Sequence, residues 1–206
     1  MSYRYPDACI LVFCKAPIIG QVKTRLMPSM SAEEATAAHI VLTKHVLSWL
    51  STSKICSIHL WCSPDTEHIF FQQCADDYHV SLFTQSEGDL GAKMDQAIQA
   101  SLKKYKRVLL LGCDSPSLSE PDLEQALSNL SAGRDVVLAP AEDGGYVMIG
   151  CQFPQTALFT DMPWGTEQVF QLTVDRLNRT GQTFSTTPLQ WDVDRFEDWQ
   201  RYCQLK

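Results

Sequence analysis

Hydrophobic residues fall along this chain in short apolar runs that alternate with stretches of helical period, and the alternation predicts the order of elements. Residues 8–13 (A-C-I-L-V-F) make a continuous apolar run with the length and branched content of a strand buried on both faces. Ser31-Ala-Glu-Glu34 has the form of a capping box, in which the Ser31 hydroxyl accepts from the backbone three residues on while Glu34 reaches back. The helix it opens carries Ala38, Val41, Leu42, Val46 and Trp49 on one face. Residues 55–61 alternate as a second strand, and Ser63-Pro64 reads as an N-cap with proline at the first helical position. A strand at 80–83, a helix bearing Leu90, Met94, Ala97, Ile98 and Leu102, and a strand at 108–111 follow. Next comes a helix capped at Ser119 with Leu123, Leu127 and Leu130 inward. Strands at 136–139 and 146–149 flank the polar turn Glu142-Asp-Gly-Gly145. Residues 164–179 read as a helix closed by Gly181, and 196–202 as a short final helix.

Strand and helix alternating in this way predict an α/β fold, a mostly parallel sheet with helices on both faces. Ligands of such sheets sit beyond the carboxyl ends of the strands, which singles out the segments after Phe13, Leu111 and Pro140 and the neighbourhood of Asp194. The length of 206 residues suits a single domain over 1–206, and 45% hydrophobic with 20% charged residues is ordinary globular composition. A net charge of −7 leaves no general basic field, so no nucleic-acid partner is expected. The apolar run near the start is too short to span a membrane and lacks a cleavage pattern, so the expectation is a cytoplasmic protein with no membrane partner. Cys9, Cys14, Cys56, Cys62, Cys74, Cys113, Cys151 and Cys203 lie in predicted strands and helices with no C-x-x-C pair, and read as reduced core thiols.

Because the chain is acidic, the placement of its cations carries information. Lys15, Lys23 and Arg25 fall within eleven residues after the first strand, together with Gly20 and Thr24. Such a loop can cradle a di- or triphosphate with charge and directional donors, or it can be a solvated surface loop. It has neither the P-loop nor the G-x-G-x-x-G spacing. Asp114 ends the apolar run V-L-L-L-G-C, where it could hold Mg²⁺ against substrate phosphates or cap the turn before Pro116. Asp192 and Asp194 stand at i and i+2, and one of them could complete a metal site. The competing reading makes Asp194 the N-cap of the last helix with Glu197 as its partner. Glu142-Asp143-Gly144-Gly145-Tyr146 and Trp164-Gly165-Thr166-Glu167 offer glycines for close approach, aromatic rings for stacking and carboxylates, although D-G-G is also an ordinary hairpin turn.

Taken in order, K-x-P-x-x-G-x-V-K-T-R-L, G-D-L-G-x-K-M, L-G-x-D-S-P, E-D-G-G-Y, W-G-T and D-V-D-x-x-E-D resemble the DUF2064 family, grouped with GT-A glycosyltransferases and related to 2-phospholactate and molybdenum-cofactor guanylyltransferases. The resemblance runs from about Ile10 to Asp198. It implies a three-layer α/β/α GT-A (nucleotide-diphospho-sugar transferase) fold with a mixed sheet. It implies phosphate contacts for Lys15, Lys23 and Arg25 beside Gly20 and Thr24, and Mg²⁺ (or Mn²⁺) on Asp114 and Asp194. Two departures stand out: the first loop is poorer in glycine than in the sugar nucleotidyltransferases, and Asp114 stands in D-S-P where many glycosyltransferases carry D-x-D. The expected activity is a transferase using a nucleotide-diphospho-sugar and a small-molecule acceptor. In that scheme Glu142, Asp143 or Glu167 takes the acceptor's proton, and Gly144, Gly145, Tyr146, Trp164 and Thr166 shape the acceptor pocket. The alternatives are nucleotidyl transfer from a nucleoside triphosphate to a phosphorylated small molecule with loss of pyrophosphate, and a nucleotide-binding module without turnover.

Overall fold

In the computed structural model, which describes residues 3–205, the capping box is formed: Ser31 Oγ accepts from the Glu34 N–H at 3.1 Å and Glu34 Oε2 accepts from the Ser31 N–H at 2.8 Å. This starts α1 (Ala32–Ser53). The apolar runs become β1 (Ala8–Lys15), β2 (Ser57–Ser63), β3 (Ser81–Thr84), β4 (Arg107–Gly112), β5 (Val136–Pro140), β6 (Tyr146–Cys151) and β7 (Phe184–Thr186). Between them lie α2 (Ile69–Tyr78), α3 (Leu90–Leu102), α4 (Glu120–Ser131), α5 (Thr156–Phe159) and α6 (Val169–Thr180), with α7 (Phe196–Cys203) last.

The strands form one sheet in the order β3-β2-β1-β4-β6-β5-β7. Every pairing is parallel except those of β6, which runs antiparallel to both β4 and β5. Side chains alternate across β1, so Ile10 and Val12 face one layer while Cys9 and Leu11 face the other. The first layer is α1, α2 and α4, packing through Leu47, Leu50, Phe71, Leu123 and Leu127. The second is α3, α5 and α6, packing through Met94, Ile98, Leu158 and Leu177. Helices on both sides of a mixed sheet make the three-layer α/β/α arrangement. A smaller cluster of Leu42, Trp191, Val193 and Tyr202 fastens the C-terminal segment to α1.

Several element boundaries differ from the sequence expectation, each for a local reason. Ser63 belongs to β2, where its carbonyl accepts from the Ala16 N–H at 2.7 Å, so it caps nothing. The next helix begins at Ile69, capped by the His68 ring accepting from the Phe70 N–H. Residues 164–168 are not helical: Gly165 takes φ of 80°, and α6 begins only at Val169. The four-residue α5 and three-residue β7 are too short to leave a periodic signal. The last helix is capped at Arg195, with Asp198 Oδ2 accepting from the N–H groups of Asp194 and Arg195, which removes Asp194 and Glu197 from the capping role. All eight cysteines are free thiols and seven are buried, Cys203 being the exposed one. Among the described residues no helix is long and apolar enough to cross a membrane.

Candidate active site

Chain direction selects the place. From β1 the chain passes to β2 and β3 on one side, and β4 then returns to the other side of β1. The sheet therefore has a topological switch point between β1 and β4, where the diverging loops leave a crevice. The basic loop leaves the carboxyl end of β1 and Asp114 lies just past β4.

Two adjoining cavities open there, sharing Phe13, Leu90, Gly112 and Asp114. The polar one, about 330 Å³, is walled by the basic loop: Lys15, Lys23, Thr24 and Arg25 line it, with Gln85 and Asp194 opposite. Gln85 is fixed there by donating through Nε2 to the Trp61 carbonyl at 2.8 Å. Gly20 does not line it. With φ of 81°, it shapes the turn closed by the Gln21 N–H donating to the Ile18 carbonyl. The apolar cavity, about 240 Å³, is lined by side chains such as Met94, Met148, Tyr146, Trp164 and Val169, with Asp143 and Asp192 joining Asp114. Among the described residues no lysine, arginine or histidine lines it.

The two cations of greatest interest are already engaged. Lys23, at φ of 49°, turns its buried side chain inward, and Nζ donates to Asp114 Oδ2 at 2.5 Å and to the Val193 carbonyl at 2.5 Å. Arg25 is exposed, and its guanidinium meets Asp194 Oδ2 at 2.5 Å. Thus the residues expected to hold phosphate and those expected to hold a metal come together as two ion pairs. Burial alone would raise the Asp114 carboxyl, but the Lys23 ammonium and its hydrogen bond outweigh burial and hold it below the usual carboxylate range. Burial likewise opposes charge on Lys23, yet Asp114 raises its pKa above the ordinary lysine value.

The acidic segment near the C-terminus is held in place by the loop after β4. Ser115 and Ser117 each donate to the Trp191 carbonyl at 3.0 Å, and the Val193 N–H donates to the Asp114 carbonyl at 3.0 Å. The serine of D-S-P thereby positions the segment that carries Asp192 and Asp194. Those two residues face different cavities, Asp192 the apolar one and Asp194 the polar one. Asp192 is pushed up to about 7, first by burial and then by the charges of Asp114 and Asp143. The sequence offered it, with Asp194, as one of two carboxylates that could complete a metal site. Gln85 and Met148 carried no functional signal, Met94 only that of the G-D-L-G-x-K-M motif, and the fold brings all three here.

The remaining candidates separate. Asp143 lines the apolar cavity, its Oδ1 accepting from the Gly145 N–H at 2.9 Å. Tyr146, Gly145, Trp164 and Thr166 line it too, with Tyr146 edge-on to Trp164 at 6.3 Å between ring centroids. Gly144 lies outside it and serves packing: a Cβ there would stand 2.2 Å from the Glu167 carbonyl oxygen. Glu167 is exposed on an outer recess with Arg25 and Asp194. Glu142 points away from both cavities, its carboxylate held by Arg201 at 2.8 and 3.3 Å, which removes it from the acceptor's reach.

Four carboxylates, Asp114, Asp143, Asp192 and Asp194, thus face three side-chain cations, Lys15, Lys23 and Arg25, the last two already in ion pairs. The excess of negative oxygen donors fits a hard divalent cation such as Mg²⁺.

The structure is similar to that of a proposed nucleotide-diphospho-sugar transferase from Desulfovibrio desulfuricans G20, at 28% identity over 92% of this chain and 83% of that one, with a TM-score of 0.82. The fold is shared with 4-diphosphocytidyl-2C-methyl-D-erythritol synthase from Anaerococcus prevotii DSM 20548 at 12% identity, covering 97% of this chain and 96% of that one, TM-score 0.63. It is shared as well with a CMP:2-keto-3-deoxy-manno-octonic acid synthetase complexed with CTP at 12% identity, covering 97% and 98%, TM-score 0.62. No curated protein matches the sequence. Residues 46–166 match the model of a family described as an uncharacterized protein conserved in bacteria, and the chain belongs to that family, DUF2064.

Proposed function

We propose that this chain is a Mg²⁺-dependent transferase that holds a nucleotide-diphospho-sugar across the two cavities and passes the glycosyl group to a neutral hydroxyl acceptor. Its relatives in fold include a proposed nucleotide-diphospho-sugar transferase and a synthetase complexed with CTP, which supports a nucleotide-using transferase as the general class. The observation that carries the finer reading is the composition of the apolar cavity, whose only Asp, Glu, Lys, Arg or His side chains among the described residues are those of Asp114, Asp143 and Asp192. A phosphorylated acceptor, as nucleotidyl transfer requires, would meet carboxylates and no cation there, whereas a neutral sugar or hydroxyl compound meets apolar walls and acceptors.

In this reading Lys15, Thr24 and Arg25 hold the diphosphate in the polar cavity, and Lys23 keeps Asp114 ionised and aimed at the crevice. Asp114 and Asp194 are the residues placed to hold the divalent ion, with Asp192 adjacent, and that ion supplies neutralisation of the charge developing on the leaving diphosphate. Asp143, fixed by the Gly145 N–H, takes the proton from the acceptor hydroxyl. The deciding experiment is product analysis with nucleotide sugars, nucleoside triphosphates and a broad acceptor pool. Release of nucleoside diphosphate is expected, and pyrophosphate release from a triphosphate would overturn the reading.

A further inference from the structure

We propose that Cys14, His39 and Cys113 form a binding site for Zn²⁺ at the floor of the polar cavity, separate from the carboxylates assigned to the hard cation. The three come from different elements. Phe13 and Gly112 are partners in the β1–β4 register, so the next residues, Cys14 and Cys113, lie side by side where the strands end. His39 reaches them from α1. Their donor atoms all lie within 4.8 Å of one another, and among the described residues no other group of three His, Cys, Asp or Glu donors does so.

The geometry suits zinc. Zinc–sulfur bonds of about 2.3 Å and zinc–nitrogen bonds of about 2.0–2.1 Å at tetrahedral angles place sulfur about 3.5 Å from nitrogen. Cys14 Sγ stands 3.7 Å from His39 Nε2. A carbonyl oxygen can only accept, so the 2.9 Å contact of Nε2 with the Lys15 carbonyl means that the imidazole carries its proton on Nε2. Zinc would take the place of that proton, leaving the neutral ring protonated on Nδ1 and releasing the two thiol protons to solvent. The Lys15 carbonyl stands beside the vacated nitrogen as an oxygen donor. Thr43 Oγ1, 3.6 Å from Cys14 Sγ and donating to the His39 carbonyl at 2.9 Å, supplies an outer partner that orients the set.

Burial and access also fit. Cys14, His39 and Cys113 are 2%, 5% and 5% exposed, yet all three border the polar cavity, which gives an ion a path in. The Cys14 thiol donates to the Lys15 carbonyl as those of Cys9 and Cys62 donate to carbonyls of their own strands, but among the described residues only the Cys14 and Cys113 thiols have a histidine nitrogen within 4.8 Å that completes a set of three. The pair of cysteines left no C-x-x-C signature because the ligands are spread over a hundred residues of sequence and meet only through strand register.

Cobalt titration of the reduced protein, with excess Mg²⁺ present to occupy the carboxylates, tests the site. One equivalent of Co²⁺ should give tetrahedral ligand-field bands and a thiolate-to-metal charge-transfer band, both displaced by Zn²⁺. The bands should be lost in Cys14→Ser and Cys113→Ser and kept in Cys203→Ser and Asp194→Asn. X-ray absorption of the Zn²⁺-loaded wild-type chain needs no variant and should find two sulfur donors and one nitrogen. An oxygen-only shell, no charge-transfer band, or a band that survives Cys113→Ser would overturn the proposal.

Discussion

Lys23 and Arg25 are two residues apart and both face a carboxylate, but their burial gives them different roles. The Lys23 side chain is 7% exposed and leaves Asp114 without its partner when removed, whereas the Arg25 side chain is 58% exposed in a pair that solvent screens. Lys23→Ala is therefore expected to lower stability by about 1–3 kcal/mol, the penalty of stranding a partly buried charged group. Arg25→Ala should leave the melting temperature nearly unchanged and weaken nucleotide binding by about tenfold to a hundredfold. Thermal melts paired with titration calorimetry separate the two, and equal stability losses would contradict the assignment. Asp192 makes a second residue-scale prediction. Its folded pKa, about 7, lies above the ordinary carboxylate value of 3.8, so the folded state binds the extra proton. Its contribution to stability is complete below pH 3.8 and is lost as pH rises through about 7. Asp192→Asn removes that loss, so the variant should melt above wild type at pH 8 and converge with it near pH 4. A melting difference that stays constant across this range would exclude a raised pKa for Asp192 from burial and neighbouring charge.

At the scale of elements, the loops that close the site rest on one another. The segment 141–145 packs on 164–168 so tightly that Gly144, at φ of 85°, has no room for a Cβ, while Gly181 at the end of α6 has φ of 68° and open space around it. Gly181→Ala should cost about 1–2 kcal/mol from the left-handed conformation alone. Gly144→Ala should cost more, because the Glu167 backbone must move as well, and urea unfolding midpoints at unchanged slope would rank the two. The same elements explain what could be read from the sequence. Caps and apolar runs are local, so the Ser31 box, the buried strand at 8–13 and the Gly181 stop were legible. Gly165 was visible too, but helical period over 164–179 masked it, and only the contact between the Phe170 N–H and the Gly144 carbonyl fixes where α6 begins. Asp114 was legible as a carboxylate just past a strand, and Asp194 as one of an acidic pair before the last helix. Their ion pairs with Lys23 and Arg25 span 91 and 169 residues, and such pairings follow from strand order rather than spacing. The meeting of Cys14, His39 and Cys113 was hidden for the same reason.

For the whole molecule, the decisive quantity is the sign of its charge. The chain carries a net charge of −7, and its crevice sets four carboxylates against Lys15, Lys23 and Arg25, with Lys23 paired to Asp114 and Arg25 to Asp194. A nucleoside diphosphate entering alone adds negative charge to that field and must compete with Asp194 for Arg25. A divalent cation entering alone meets carboxylates already neutralised in part by Lys23 and Arg25. In the proposed function the two enter together: the ion would take the carboxylates and free Arg25 to turn onto the phosphates, so that each ligand removes the obstacle to the other. Coupling of this kind is reciprocal: if Mg²⁺ tightens nucleotide binding by some factor, the nucleotide tightens Mg²⁺ binding by the same factor, typically about 5- to 150-fold. The rise in melting temperature with nucleotide and Mg²⁺ together is therefore expected to exceed the sum of the rises with each alone, since stabilisation follows the logarithm of occupancy. In Asp194→Asn, where Arg25 has no carboxylate to leave and the ion loses a ligand, the excess should collapse while binding of nucleotide without Mg²⁺ improves. Additive shifts in the wild-type protein would mean that cation and nucleotide do not share this crevice.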